Sequence, residues 1–129
     1  MIMSKKVVAV IGCGRIARNA HLPAFSQMDN IRVKYGCDIL PEKAAKLKED
    51  FPIIENIIED YKIALADPEV DAVYVLTPNY VHYTVTMDAL RAGKHVLCEK
   101  PMCINTTEAK ELFDLAQKNN IIFYDICQR

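Results

Sequence analysis

Short apolar runs rich in valine and isoleucine recur along the chain, and the stretches between them return an apolar residue every third or fourth position. The first pattern predicts strands buried on both faces and the second predicts amphipathic helices, so their alternation is that of β-α-β units around a parallel sheet. Strands are expected at Lys6–Ile11, Arg32–Cys37, Glu55–Ile58, Ala72–Leu76, His95–Cys98 and Ile121–Tyr124. Helices fill the gaps. The first runs from Arg15 towards Met28, and the second, Pro41–Phe51, starts on a proline suited to a first turn and carries Ala44, Leu47 and Phe51 on one face. A short helix Tyr61–Ala66 stops at the turn signal Asp67-Pro68. Asn79 is placed to cap the fourth helix, with Val81, Val85 and Ala89 along its buried face and Gly93 to end it in a left-handed conformation. Asn105 and Glu108 form a capping box for the fifth, whose apolar stripe is Ala109, Leu112, Phe113 and Ala116. This content fits one α/β domain with a doubly wound, parallel six-stranded sheet in the order 3-2-1-4-5-6.

Composition removes several classes of function. The 129 residues carry 16 basic and 17 acidic side chains, net charge −1, with no basic block to follow a phosphate backbone, so nucleic acid and membrane surfaces are not expected partners. Apolar runs such as Val7–Ile11 fall far short of the roughly 20 residues of a membrane span. The same run after Lys5 and Lys6 is too short for a signal-peptide core and is followed at once by Arg15 and Arg18. Five cysteines, Cys13, Cys37, Cys98, Cys103 and Cys127, are an odd number without a C-x-x-C pair or nearby histidine ligands. They are expected to be reduced, buried small hydrophobes in a cytoplasmic protein, with no metal site.

The chemistry concentrates where strands end. The first strand runs into Gly12-Cys13-Gly14-Arg15-Ile16-Ala17, a G-x-G-x-x-A with a helix behind it. Gly12 permits a tight turn, Gly14 lets backbone approach a pyrophosphate, and Ala17 keeps the helix close to the strand, while the helix N-terminus favours phosphate charge. Asp38 ends the second strand, 21 residues after Ala17, where a carboxylate can accept both hydroxyls of an adenosine ribose. The same charge would repel a 2′-phosphate, and no arginine follows at Ile39 or Leu40, so NAD is favoured and NADP remains possible. Thr77-Pro78-Asn79, with His82 a turn later, follows the fourth strand, and Glu99-Lys100-Pro101 follows the fifth. These lie at the sheet edge where open α/β folds hold their ligands.

Taken together these motifs resemble the Gfo/Idh/MocA oxidoreductases. The resemblance spans the whole chain and rests on Gly12 to Ala17 followed by His21-Leu22-Pro23, on Asp38, on Asp67-Pro68-Glu69-Val70-Asp71-Ala72-Val73, on Thr77-Pro78-Asn79 with His82, on Ala92-Gly93-Lys94-His95-Val96, and on Glu99-Lys100-Pro101. It implies a Rossmann NAD(P)-binding fold and hydride transfer with the hydroxyl of a small sugar-like substrate: a sugar, cyclitol or nucleotide sugar. Lys100 becomes the catalytic-site lysine, His82 a second candidate for the chemistry, and Glu99 a neighbour of the nicotinamide ribose. Gly12, Cys13, Gly14, Arg15, Ile16, Asp38, Thr77, Pro78, Asn79, His82, Glu99 and Lys100 form the expected cofactor surface, and the Lys100-Pro101 bond is a candidate for the cis form. His21 and His95 are read as structural.

Family members carry a second α/β domain that forms the substrate floor, and this sequence contains only the dinucleotide half. The expectation is therefore residues 1–129 as a Rossmann domain, an expressed domain or truncated product of a longer oxidoreductase, inactive by itself and of undetermined oligomeric state. Two rival readings stand beside it. A bare Rossmann domain could sense the NADH/NAD+ ratio without catalysis, although such a sensor has no evident use for Lys100. A methyltransferase binding S-adenosylmethionine shares the glycine loop but has a seventh strand, which is missing here.

Overall fold

A computed structural model describes residues 6–15, 17–77, 79–99 and 106–126. Six parallel strands, β1 (Lys6–Ile11), β2 (Ile31–Cys37), β3 (Asn56–Ile58), β4 (Ala72–Val75), β5 (His95–Glu99) and β6 (Phe123–Ile126), form one sheet in the order β3-β2-β1-β4-β5-β6. The expected doubly wound order is the observed one. Helices α1 (Leu22–Ser26) and α2 (Pro41–Asp50) cover one face, and α3 (Lys62–Ala66), α4 (Asn79–Arg91) and α5 (Thr106–Lys118) cover the other. Alternate residues of β1 divide between the two cores. Val8 and Val10 pack with Leu22, Phe25 and Leu47, while Val7, Ala9 and Ile11 pack with Val85, Ala89 and Leu90. Central strands buried on both sides need this unbroken apolar run, which is why the sequence pattern is so plain there.

Four local features depart from the sequence reading. The first helix is not continuous, because Ala17–His21 forms a π-helical turn before α1. Pro23 has no N–H to donate and its ring crowds the carbonyl one turn back, so the helix widens just ahead of it. The sixth strand starts two residues later than expected. Asn120 adopts φ 56° and the Ile121 N–H closes α5 on Ala116 O at 3.0 Å, so the chain straightens only after these residues. Phe113, expected in the buried stripe of α5, is 47% exposed, while Leu112 and Ala116 are buried and Leu115 half-buried. The fourth helix also begins at Asn79 itself rather than after it, and Asn105, the expected cap of the fifth, falls outside the described residues. Its other end follows expectation. Gly93 at φ 80° donates to Leu90 O at 3.0 Å and Lys94 N–H to Ala89 O at 3.1 Å, a Schellman closure.

Polar groups lock the end of the sheet away from the strand carboxyl termini. Lys34 pairs with Asp67 at 2.6 Å and Glu69 at 2.7 Å, Arg32 with Glu55 at 2.6 Å and Glu69 at 3.1 Å, and the Tyr35 hydroxyl donates to Asp67 at 2.7 Å. Beside them Lys94, only 7% exposed, donates through its ammonium to Asp67 O at 2.7 Å and Val70 O at 2.8 Å. The hydrogen bonds from Lys34 and then Tyr35 hold Asp67 well below the usual carboxylate range. Lys34 and then Arg32 lower Glu69, and Arg32 lowers Glu55. Folded pKa values below the unfolded ones stabilise the fold above the ordinary carboxylate range, and that contribution disappears as pH falls through the lowered values. Thermal melts should therefore lose Tm steadily between about pH 5 and pH 2. Lys34→Met should flatten that slope, and an unchanged slope would remove the network from acid stability.

No helix among the described residues is long and apolar enough to cross a membrane. Cys13, Cys37 and Cys98 are buried free thiols, as expected, while Cys103 and Cys127 lie outside the described residues. His21 packs edge-on to Tyr74 with ring centroids 5.6 Å apart, and His95 Nδ1 accepts the Ile122 N–H at 2.9 Å, so both serve packing and strand pairing.

Candidate functional site

The glycine turn is shaped by close contact with the next strand. Gly12 holds φ 102°, and a Cβ there would lie 2.7 Å from the backbone of Leu76. Only glycine fits. Gly14 is different: a Cβ there would meet nothing within 4 Å. The protein's own packing does not require a glycine at this point, and the bare backbone lies open on the wall of a cavity. Ala17 behind it is fully buried between helix and sheet, which explains the small third position.

Asp38 closes the far side of the turn. Its Oδ2 accepts the Cys13 N–H at 2.9 Å and its Oδ1 accepts the Leu40 N–H at 2.9 Å. Each carboxylate oxygen has two acceptor positions, so both keep capacity for a ligand hydroxyl. Thiols stitch the neighbouring loops. Cys13 Sγ donates to Cys37 O at 3.4 Å and Cys37 Sγ to Glu59 O at 3.6 Å, while Asp38 N–H reaches Ile58 O at 3.1 Å. Burial first, then the nearby Asp38 carboxylate, pushes both thiols up to about 12. They are poor nucleophiles at neutral pH and act as packing and weak donors.

These loops surround a cavity of about 540 Å³ at the carboxyl ends of β1 to β4. Ile11 to Arg15 form one wall, Cys37 to Leu40 with Lys43 a second, Glu59 and Tyr61 a third, and Leu76, Thr77 and Val85 the last. Among the expected site residues, Gly12, Cys13, Gly14, Arg15, Asp38 and Thr77 thus face one space. Asn79 and His82 lie in the first turn of α4 and Glu99 ends β5, at the same edge of the sheet. Ile16, Pro78, Lys100 and the Lys100-Pro101 bond fall outside the described residues. Ile39, Leu40, Lys43, Glu59, Tyr61 and Val85 line the cavity without having been expected as site residues. The loop after β3 was findable in principle, because every parallel strand delivers its carboxyl end to this edge.

A glycine turn into a helix, a bare cradle and an acceptor carboxylate on the adjacent strand define a dinucleotide-binding domain of the Rossmann type. The chain belongs to the GFO_IDH_MocA oxidoreductase family, whose NAD-binding Rossmann fold matches residues 6–125. Inositol 2-dehydrogenase/D-chiro-inositol 3-dehydrogenase of Lactiplantibacillus plantarum is 33% identical over 112 residues, covering 86% of this chain and 32% of that protein. D-glucoside 3-dehydrogenase of Escherichia coli is 32% identical over 130 residues, covering 100% of this chain and 37% of that one. Among solved structures, KijD10, a 3-ketoreductase from Actinomadura kijaniata in complex with NADP and TDP-benzene, superposes with TM-score 0.88 at 34% identity, covering 95% of this chain and 37% of its own. The chain thus spans about a third of the length of these relatives. Membership in an oxidoreductase family also removes the methyltransferase reading.

Proposed function

We propose that this domain is the cofactor half of an oxidoreductase that transfers a hydride between NAD(P) and a hydroxyl of a sugar, cyclitol or nucleotide sugar. The observation that carries the proposal is the convergence of the bare Gly14 cradle and the Asp38 carboxylate on one cavity. The residues fit a dinucleotide: Gly14 admits the pyrophosphate to the helix start, and Asp38 accepts the adenosine ribose hydroxyls. Ile39, 77% exposed beside the cavity, gives the adenine an apolar face. The Asp38 charge favours NAD, while Arg15 and Lys43 on the same walls supply positive charge that tolerates NADP. The relatives named as an inositol dehydrogenase, a glucoside dehydrogenase and a 3-ketoreductase support the substrate class.

A nicotinamide held there would supply the hydride acceptor or donor for interconversion of a carbinol and a carbonyl. The protein must handle the proton and charge on the oxygen. Lys100 follows Glu99 at the end of β5, and its ammonium would stabilise negative charge on that oxygen or take its proton, with His82 as a second proton carrier. The substrate floor belongs to a second domain. In the polypeptide that joins the two, Lys100→Ala should lower kcat by about a hundredfold or more with NADH affinity unchanged. An unchanged kcat would take Lys100 out of the chemistry.

A further inference from the structure

Among the described residues Tyr61 is the one aromatic lining the cavity, and its hydroxyl donates to the Asp88 carboxylate on α4 in a short contact. It stands at the start of α3, half-buried against the core on the α4 side of the sheet. Val85, three residues before Asp88 and so on the same face of α4, lines the cavity beside it. The segment that carries Tyr61 is anchored at its other end to β2, through Asp38 N–H to Ile58 O at 3.1 Å and Cys37 Sγ to Glu59 O at 3.6 Å. One short strap therefore joins the loop of the ribose-binding carboxylate to the helix whose first turn carries Asn79 and His82. Of the residues in this strap, Tyr61 both borders the cavity and holds α4.

We infer that the Tyr61–Asp88 hydrogen bond is a positioning contact for the dinucleotide, fixing the wall between the ribose site and α4 before the cofactor arrives. This rests on the dinucleotide reading above. Burial and then Asp88 push the Tyr61 hydroxyl up from its ordinary value, so the tyrosine stays protonated and remains the donor across the working pH range. Without that donor the wall must be ordered at the moment of binding, and the cost falls on affinity.

The test compares NADH dissociation constants, and Tm without NADH, for the wild type, Tyr61→Phe, Asp88→Asn, Asp88→Ala and the double variant Tyr61→Phe/Asp88→Ala. Tyr61→Phe and Asp88→Ala should each weaken NADH by about fivefold to tenfold, with the double variant no weaker than either. Asp88→Asn keeps an acceptor oxygen and should bind within about twofold of wild type. Lys94→Met serves as the control that lowers Tm by loosening the opposite end of the sheet without touching the cavity, and its affinity should be unchanged. Affinities for Tyr61→Phe and Asp88→Ala equal to wild type, with only Tm lowered, would make the contact purely structural and overturn the inference. A wild type that binds no NADH would instead overturn the dinucleotide reading, and this inference with it.

Discussion

Gly14→Val should abolish measurable dinucleotide binding, at least a hundredfold loss, while leaving Tm within about two degrees of the wild type. The separation of binding from folding follows from the geometry. Gly14 is exposed, lies outside the left-handed region and has empty space where a side chain would grow, so valine costs the free protein little. That space is where the pyrophosphate would meet the backbone. Gly12 predicts the opposite outcome. At φ 102° and with Leu76 backbone 2.7 Å from a new Cβ, Gly12→Ala should destabilise the fold by about 3 kcal/mol. Calorimetric titration beside thermal melts checks both, and a Gly14→Val protein that binds normally would mean the cradle is merely a surface turn.

Asp38→Ala should weaken NAD by about a hundredfold and NADP far less, erasing the preference between them. Hydrogen bonds to a charged acceptor are worth about 1.5–3 kcal/mol each, and two ribose hydroxyls are at stake. At 1.4 kcal/mol per decade, a net loss of about 3 kcal/mol gives that factor. Two further effects bear on the comparison. The Cys13 N–H loses its acceptor at 2.9 Å, and Leu40 loses the bond that turns the chain into α2. NADP gains from the removal of a negative charge, with Arg15 and Lys43 left on the cavity walls. Paired titrations with NAD+ and NADP+ read this directly, and unchanged NAD affinity would take Asp38 out of ribose recognition.

The parts most legible in the sequence are those where burial and backbone geometry leave few choices. Val7–Ile11 reads as a strand because both faces of β1 are covered, and Gly12 reads as a turn because only glycine tolerates its φ. The strand order followed from counting β-α-β units, since handed crossovers leave few topologies. What stayed hidden depends on contacts distant in sequence or on local competition. The stretch from Arg15 towards Met28 was expected as one helix, and whether Pro23 breaks it or widens it into a π turn depends on packing that the sequence does not display. The start of β6 was misplaced because Ile121 and Ile122 have the composition of a strand, yet their N–H groups go to Ala116 O and His95 Nδ1. Phe113 lies next to the helical stripe in sequence but faces outward. Tyr61 and Lys43 carry no motif, and only the folding of three strand ends to one edge brings them to the cavity.

The most direct measurement is calorimetric titration of the 129-residue protein with NAD+, NADH, NADP+, NADPH and S-adenosylmethionine. Saturable binding of NAD(H), weaker binding of NADP(H) and none of S-adenosylmethionine is the predicted result. A folded sample that binds none of the four nicotinamide dinucleotides would contradict the assignment of the Gly12 to Asp38 cavity as the cofactor site.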